Sequence, residues 1–182
     1  MNIEDFYKPV HIENLVEIQQ EVLKLIPENL LNQTTLIYIE NNKEIFLSIP
    51  VLYNFLKSIN MHYSVGSIAI NITQGQRAGS YHMDSGPYNH SLNIPISGCE
   101  NTWINFFKAT GDYKVVPVVN QGMINHGFRY TEDQCELIYE AETSQPYILG
   151  TKTPHRVLNK SDQTRIMLLI RCLLYTSDAA DE

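Results

Sequence analysis

His82 and Asp84 flank a single methionine in the stretch Tyr81-His-Met-Asp-Ser85. On an extended strand, side chains two residues apart point to the same face, so an imidazole and a carboxylate spaced this way can share one ion. A third ligand must come from elsewhere in the fold. His155 stands seventy-three residues further on, at the start of an expected strand over His155–Asn159. Two neutral imidazoles and one carboxylate would occupy one face of a divalent cation and leave its other face open to further ligands. Ten residues past His155 lies Arg165, which opens the apolar run Arg165-Ile-Met-Leu-Leu-Ile170. A guanidinium at the mouth of such a strand suits a two-point clamp on a carboxylate.

Taken singly, these residues have plainer explanations. A lone His82 is more often a satisfied or exposed histidine, and a lone Arg165 a surface ion-pair partner. Their order and strand context are what shift the balance. His11, His62 and His126 carry no such context. His90 is eight residues beyond His82, but Gly86-Pro87 intervenes, so no shared strand face with Asp84 follows. Arg156 should point away from His155, and Arg171, although on Arg165's side of the strand, lies about 20 Å further along it.

The elements that position these residues fall into two parts. Up to about residue 64 the pattern is helical. Leu15, Ile18, Val22 and Leu25 recur at three- and four-residue spacing until Pro27, and a second helix is expected from Ser48-Ile49-Pro50 with Ser48 as cap and Val51, Leu52, Phe55, Leu56 and Ile59 inward. From residue 65 to 171 short strands follow one another between turn residues. Ile68, Ile70 and Ile72 alternate with smaller or polar neighbours, as do Cys135, Leu137, Tyr139 and Ala141. Further strands fit Tyr81–Asp84, Ser91–Ile96, Asn101–Lys108, Tyr147–Thr151 and Thr164–Arg171, with Gly98, Gly111-Asp112 and Asn120-Gln121-Gly122 as turns. Pro95 inside a strand predicts an edge or a bulge. Residues 109–134 read as a long loop. Many strands without intervening helices imply an antiparallel sandwich or barrel.

With these elements in place, His82-x-Asp84, His155 and Arg165 resemble the Fe(II)/2-oxoglutarate-dependent dioxygenase superfamily. The phrases Leu92-Asn-Ile-Pro-Ile96 and Thr153-Pro-His-Arg-Val157 are also similar to segments of its small members, and the resemblance covers residues 65–171. It implies a double-stranded β-helix, or jelly roll, preceded by a helical support region over 1–64. It further implies Fe(II) on His82, Asp84 and His155, and Arg165 on the distal carboxylate of 2-oxoglutarate. The implied reaction consumes O2 and 2-oxoglutarate, releases succinate and CO2, and hydroxylates a small molecule or a protein side chain. Asn93 and Trp103 are candidates for the pocket lining, although for Trp103, Phe106, Phe107 and Tyr139 barrel packing is the favoured reading over substrate contact.

Three alternatives share parts of this pattern. Gly150…Pro154-His155…Asn159 is reminiscent of the second cupin motif, but a cupin would need a His-x-His pair and an upstream Glu where His82-Met83-Asp84 stands. A non-enzymatic jelly-roll binding module would carry the histidines incidentally. A zinc hydrolase could use the same ligands but lacks a general base at a fixed offset.

Charge narrows the partners. Thirteen basic against twenty acidic residues give a net charge of −7, and no basic run occurs, so neither nucleic acid nor an anionic membrane is an expected partner. The acidic start, Met1-Asn2-Ile3-Glu4-Asp5, does not have the form of a signal peptide, and a cytoplasmic location is expected. Cys99, Cys135 and Cys172 are too few and scattered for a disulfide framework and read as free thiols. The segment 172–182, Cys-Leu-Leu-Tyr-Thr-Ser-Asp-Ala-Ala-Asp-Glu, resembles a translated sequencing adapter and is set aside as a non-native tail. Without its Asp178, Asp181 and Glu182 the net charge is −4 rather than −7, which changes none of these exclusions.

Overall fold

Ile166, Leu168 and Ile170 project from one face of the last strand, and Arg165, Met167, Leu169 and Arg171 from the other, and this alternation sets the architecture. The computed structural model describes residues 3–38, 43–61, 65–84, 87–120 and 123–172. Among them are helices α1 (Leu15–Lys24), α2 (Lys43–Leu47) and α3 (Pro50–Ser58). The strands are β1 (Tyr7–Pro9), β2 (Thr35–Tyr38), β3 (Val65–Thr73), β4 (Arg77–Ala78), β5 (His82–Met83), β6 (His90–Ser97), β7 (Thr102–Ala109), β8 (Lys114–Asn120), β9 (Met123–Arg129), β10 (Cys135–Glu142), β11 (Tyr147–Gly150), β12 (His155–Asn159) and β13 (Arg165–Cys172). They form a six-stranded sheet in the order β1-β11-β6-β13-β3-β2 and a second sheet in the order β10-β7-β12-β5-β9-β8, with β4 also on β12. The strand pairings are antiparallel, and the two sheets face each other as a double-stranded β-helix.

The first sheet is covered on both sides. Its outer face presents Ile68, Ile70, Leu92, Ile94, Leu168 and Ile170 to Ile18 and Val22 of α1 and to Leu52 and Leu56 of α3, all essentially sealed from solvent. Each such side chain contributes about 1.5–3 kcal/mol on burial. Its inner face meets the second sheet around Phe106, Tyr147, Leu149 and Met167. No helix among the described residues is long and apolar enough to cross a membrane.

Several sequence expectations need correction. The helical first third contributes two strands, β1 on β11 and β2 on β3, which widen the first sheet at both ends. Ser48 does not cap α3: its hydroxyl donates back to the Ile45 carbonyl at 2.7 Å, and Ile49 stands at the cap position ahead of Pro50. Residues 109–134 are not a long loop but are mostly the β8–β9 hairpin, paired from Lys114↔Arg129 to Asn120↔Met123. Its turn residues 121–122, like His62 and Gly86, lie outside the described residues. Pro95, expected at an edge or a bulge, lies in a central strand at a register shift against β13, which is the second of those two placements and needs no correction. A second bulge in β10, between Leu137 and Tyr139, breaks the expected alternation. Leu137 is left 54 % exposed while Tyr139 packs on Phe6 and Phe106. Cys172, the first residue of the segment set aside as a tail, ends β13 opposite His90 of β6, with a register shift against β3, and is fully buried; 173–182 lie outside the described residues. Cys99 is buried, Cys135 partly so, and all three cysteines are free.

Candidate metal centre and cavity

His82 and His155 are brought together by strand register: they are direct partners across β5 and β12, with ring centroids 4.4 Å apart. Each ring places Nδ1 2.8 Å from a backbone carbonyl two residues earlier, Ser80 for His82 and Thr153 for His155. A donated N–H at Nδ1 fixes the tautomer and leaves the Nε2 lone pair of each ring facing inward, the arrangement a metal-binding histidine requires. Asp84 follows β5, its N–H donating to the Thr151 carbonyl, and its Oδ1 lies 3.7 Å from His82 Nε2. One ligand atom from each of His82, Asp84 and His155 lies within 4.8 Å of the others, so the three can share an ion. Among the described residues no other group of His, Cys, Asp or Glu does so, and His90 stands apart.

The electrostatics keep these donors ready for a cation. Burial, reinforced by the neighbouring His155, holds the His82 pKa down to about 4 although Asp84 pulls it up. Burial pushes the Asp84 carboxyl up, but Arg171, the two histidines and Lys152 together outweigh it and leave it below the ordinary carboxylate range. At neutral pH His82 is therefore a neutral imidazole beside an ionised Asp84 carboxylate.

These groups line one end of a cavity of about 650 Å³ between the sheets. Arg165 lies deeper in the same cavity and is only 1 % exposed. Its Nη1 donates to Asn71 Oδ1 at 2.8 Å, its Nε has no partner, and no carboxylate lies within ion-pair distance of it among the described residues. The Tyr147 hydroxyl, beside Arg165 and Asn93, is buried and lacks a partner at hydrogen-bonding geometry. An unpaired buried guanidinium is costly, and an anionic ligand is the natural compensation. The donors present therefore fit both a divalent ion and a carboxylate. Apolar walls from Ile104, Leu149, Val157 and Leu169 separate the two ends.

Asn93 lines this cavity, whereas Trp103 does not. Ile104 and Phe106 take the inward positions of β7, so Trp103 turns to the outer face, where Lys160 lies 5.0 Å from its ring. Phe107 is likewise outward, and Arg156 stacks on Tyr81 at 4.4 Å, away from the site. The sequence reading missed Arg171. Counting distance from Arg165 places it far off, yet that same distance carries it to the metal end, where its Nη2 lies 3.2 Å from Asp84 Oδ2. Its side of the strand was the available signal.

No protein-family model matches the chain, and no curated protein matches it. Among solved structures, AviO1 from Streptomyces viridochromogenes Tue57 is similar with a TM-score of 0.54 and 10% identity, over 98% of this chain and 92% of that one. A prolyl hydroxylase from Trichoplax adhaerens, in complex with a hypoxia inducible factor peptide fragment, aligns at TM-score 0.49 and 10% identity over 93% and 84%. The non-heme monooxygenase ThoJ, as its nickel complex, aligns at 0.43 and 12% over 93% and 74%. At such identities the likeness to AviO1 speaks for the fold alone, and the two lower scores carry no weight.

Proposed function

We propose that this protein is an Fe(II)- and 2-oxoglutarate-dependent oxygenase that hydroxylates a small molecule or a peptide side chain. The observation that carries the reading is a buried Arg165 with no acidic partner among the described residues, in the same cavity as the His82, Asp84 and His155 donors. A cupin-type site needs no such charge in its interior. With Fe(II) and 2-oxoglutarate bound, the co-factor pair supplies O2 reduction coupled to decarboxylation, so that substrate C–H, 2-oxoglutarate and O2 become C–OH, succinate and CO2.

The residues of the chain do the rest. His82 and His155 present Nε2, each held in orientation by a backbone carbonyl. Asp84 presents Oδ1 while Arg171 occupies Oδ2. Arg165 receives the distal carboxylate by charge-assisted hydrogen bonds from Nε and Nη, with the Tyr147 hydroxyl as a further donor. Ile104, Leu149, Val157 and Leu169 keep bulk water from the reacting centre.

Purified protein should bind Mn(II) or Fe(II), bind 2-oxoglutarate in the presence of the metal, and form succinate slowly with Fe(II), ascorbate and air even without substrate. His82→Ala and Asp84→Ala should abolish metal binding and succinate release together. Binding of neither metal nor 2-oxoglutarate to the folded protein would refute the reading.

A further inference from the structure

The cavity carries more positive charge and more room than one co-substrate uses. Its described lining contains three arginines, Arg77, Arg165 and Arg171, and a single acid, Asp84, in a chain whose net charge is −7. Arg171 is matched by Asp84. Arg165 is matched, on the reading above, by the distal carboxylate of 2-oxoglutarate. Arg77, exposed at the cavity's rim, has a side chain with no ion pair or hydrogen bond among the described residues. At about 650 Å³ the space is of the size that encloses whole small-molecule ligands, well beyond what a five-carbon diacid fills.

The register gives the distance. On β12, Asn159 pairs with Arg77 and His155 pairs with His82. Four residues of strand separate the two positions, about 13 Å along the chain. The same lining holds the uncharged Asn32, Thr34 and Gln74, with Gln74 braced by its own N–H to Thr34 Oγ1 at 3.2 Å and by its side-chain amide to the Leu31 carbonyl at 3.1 Å. An exposed guanidinium on the rim of a cavity that amides and hydroxyls also line, one small-molecule length from a metal-binding triad, has the chemistry to receive an anion.

We infer that Arg77, with Asn32, Thr34 and Gln74, forms a second anion position, and that the primary substrate is a small molecule bearing a carboxylate or phosphate there. The inference rests on the oxygenase reading and adds the class of substrate. Arg77 anchors the acid group at the mouth, and the remainder of the molecule extends inward along β12 so that its reacting carbon lies beside His82, Asp84 and His155.

The test uses the full chain loaded with Mn(II) and 2-oxoglutarate, whose binding is measured first; its absence would refute the oxygenase reading itself. Amino and hydroxy acids are then titrated, each beside its amide, and phosphomonoesters each beside the parent alcohol. Thermal shift and calorimetry give the affinities. At least one anion should bind tenfold or more tightly than its neutral partner, the two series telling carboxylate from phosphate. Arg77→Glu should erase that preference while leaving Mn(II) and 2-oxoglutarate affinities within twofold of wild type. Equal binding of acids and neutral partners, no binding by any anion, or retention of the preference in Arg77→Glu would each overturn the proposal. A selective loss of 2-oxoglutarate affinity in Arg77→Glu would overturn it too, by assigning Arg77 to the co-substrate.

Discussion

Arg171 Nη2 lies 3.2 Å from Asp84 Oδ2, while Asp84 Oδ1 lies 3.7 Å from His82 Nε2, so one carboxylate is divided between a guanidinium and the metal-binding histidines. Both side chains of the ion pair are largely buried, at 14% and 16% exposure. Arg171 therefore neutralises Asp84 in the metal-free protein and fixes which oxygen faces the ion. Replacing it leaves a buried carboxylate uncompensated, which here costs about 1–3 kcal/mol, below the fully buried range because some solvent reaches the pair. Arg171→Met should thus lower the Tm of metal-free protein clearly, and saturating Mn(II) should restore most of the loss by supplying the missing positive charge. An Arg171→Met protein equally destabilised with and without Mn(II) would show that the arginine acts through packing alone.

Arg165 should behave in the opposite sense. Its charge is buried with no acidic partner among the described residues, so the empty protein bears a desolvation cost that the Asn71 hydrogen bond offsets in part and an anionic ligand would offset further. Arg165→Met, similar in length and free of charge, should leave the empty protein as stable as wild type or more so. The same change should weaken 2-oxoglutarate binding by about 100-fold, corresponding to roughly 2.7 kcal/mol for a lost charge-assisted contact. Chemical denaturation and calorimetric titration on one preparation measure both effects. A destabilised variant that still binds 2-oxoglutarate normally would contradict this role.

Gly98 links the turn after β6 to the site. Its φ of +60° is left-handed, and a Cβ there would come 2.2 Å from the Thr164 carbonyl oxygen, directly before Arg165. Gly98→Ala therefore meets both backbone strain and a contact with main chain that cannot rotate away. A loss of about 2–3 kcal/mol is expected. The shift falls on the Thr164–Arg165 junction, so 2-oxoglutarate affinity should drop as well, whereas Mn(II) affinity, set at the other end of the cavity, should hold. Denaturation midpoints with the two titrations check all three outcomes.

The strands that build the first sheet were legible because Ile68, Ile70 and Ile72 and the run from Ile166 to Ile170 carry β-branched or apolar residues at the spacing a half-buried or central strand demands. The β8–β9 hairpin was not, since Val115-Val116-Pro117-Val118-Val119 shows no alternation and Pro117 argues against a strand unless it is at an edge, which is where β8 lies. The β10 pattern misled because a bulge inverts the side of every residue beyond it. His82, Asp84 and His155 could be proposed from spacing and resemblance, but their convergence depends on the β5–β12 register, a tertiary fact. Arg171 needed that register as well, because a position along β13 says nothing of what stands opposite on the other sheet.

His82 makes the metal-free protein acid-sensitive in a defined window. Its folded pKa of about 4 lies below the ordinary 6.5, so below pH 6.5 the unfolded chain takes up a proton that the folded chain resists. Stability from this residue is complete above pH 6.5 and is lost as the pH falls towards 4. Full expression of the shift would be roughly 3 kcal/mol, and on the order of 2 kcal/mol is expected because the ring is partly exposed and shares protons with its neighbours. Asp84, held below the ordinary carboxylate range, adds its own loss only at lower pH, so the two effects separate. Denaturant midpoints followed from pH 7.5 to 4.5 should decline for wild type and stay flatter for His82→Asn. Saturating Mn(II) should steepen the wild-type decline at its acid end, since an ion on Nε2 must be displaced before the ring can be protonated. Parallel profiles for wild type and His82→Asn would show that acid sensitivity arises elsewhere.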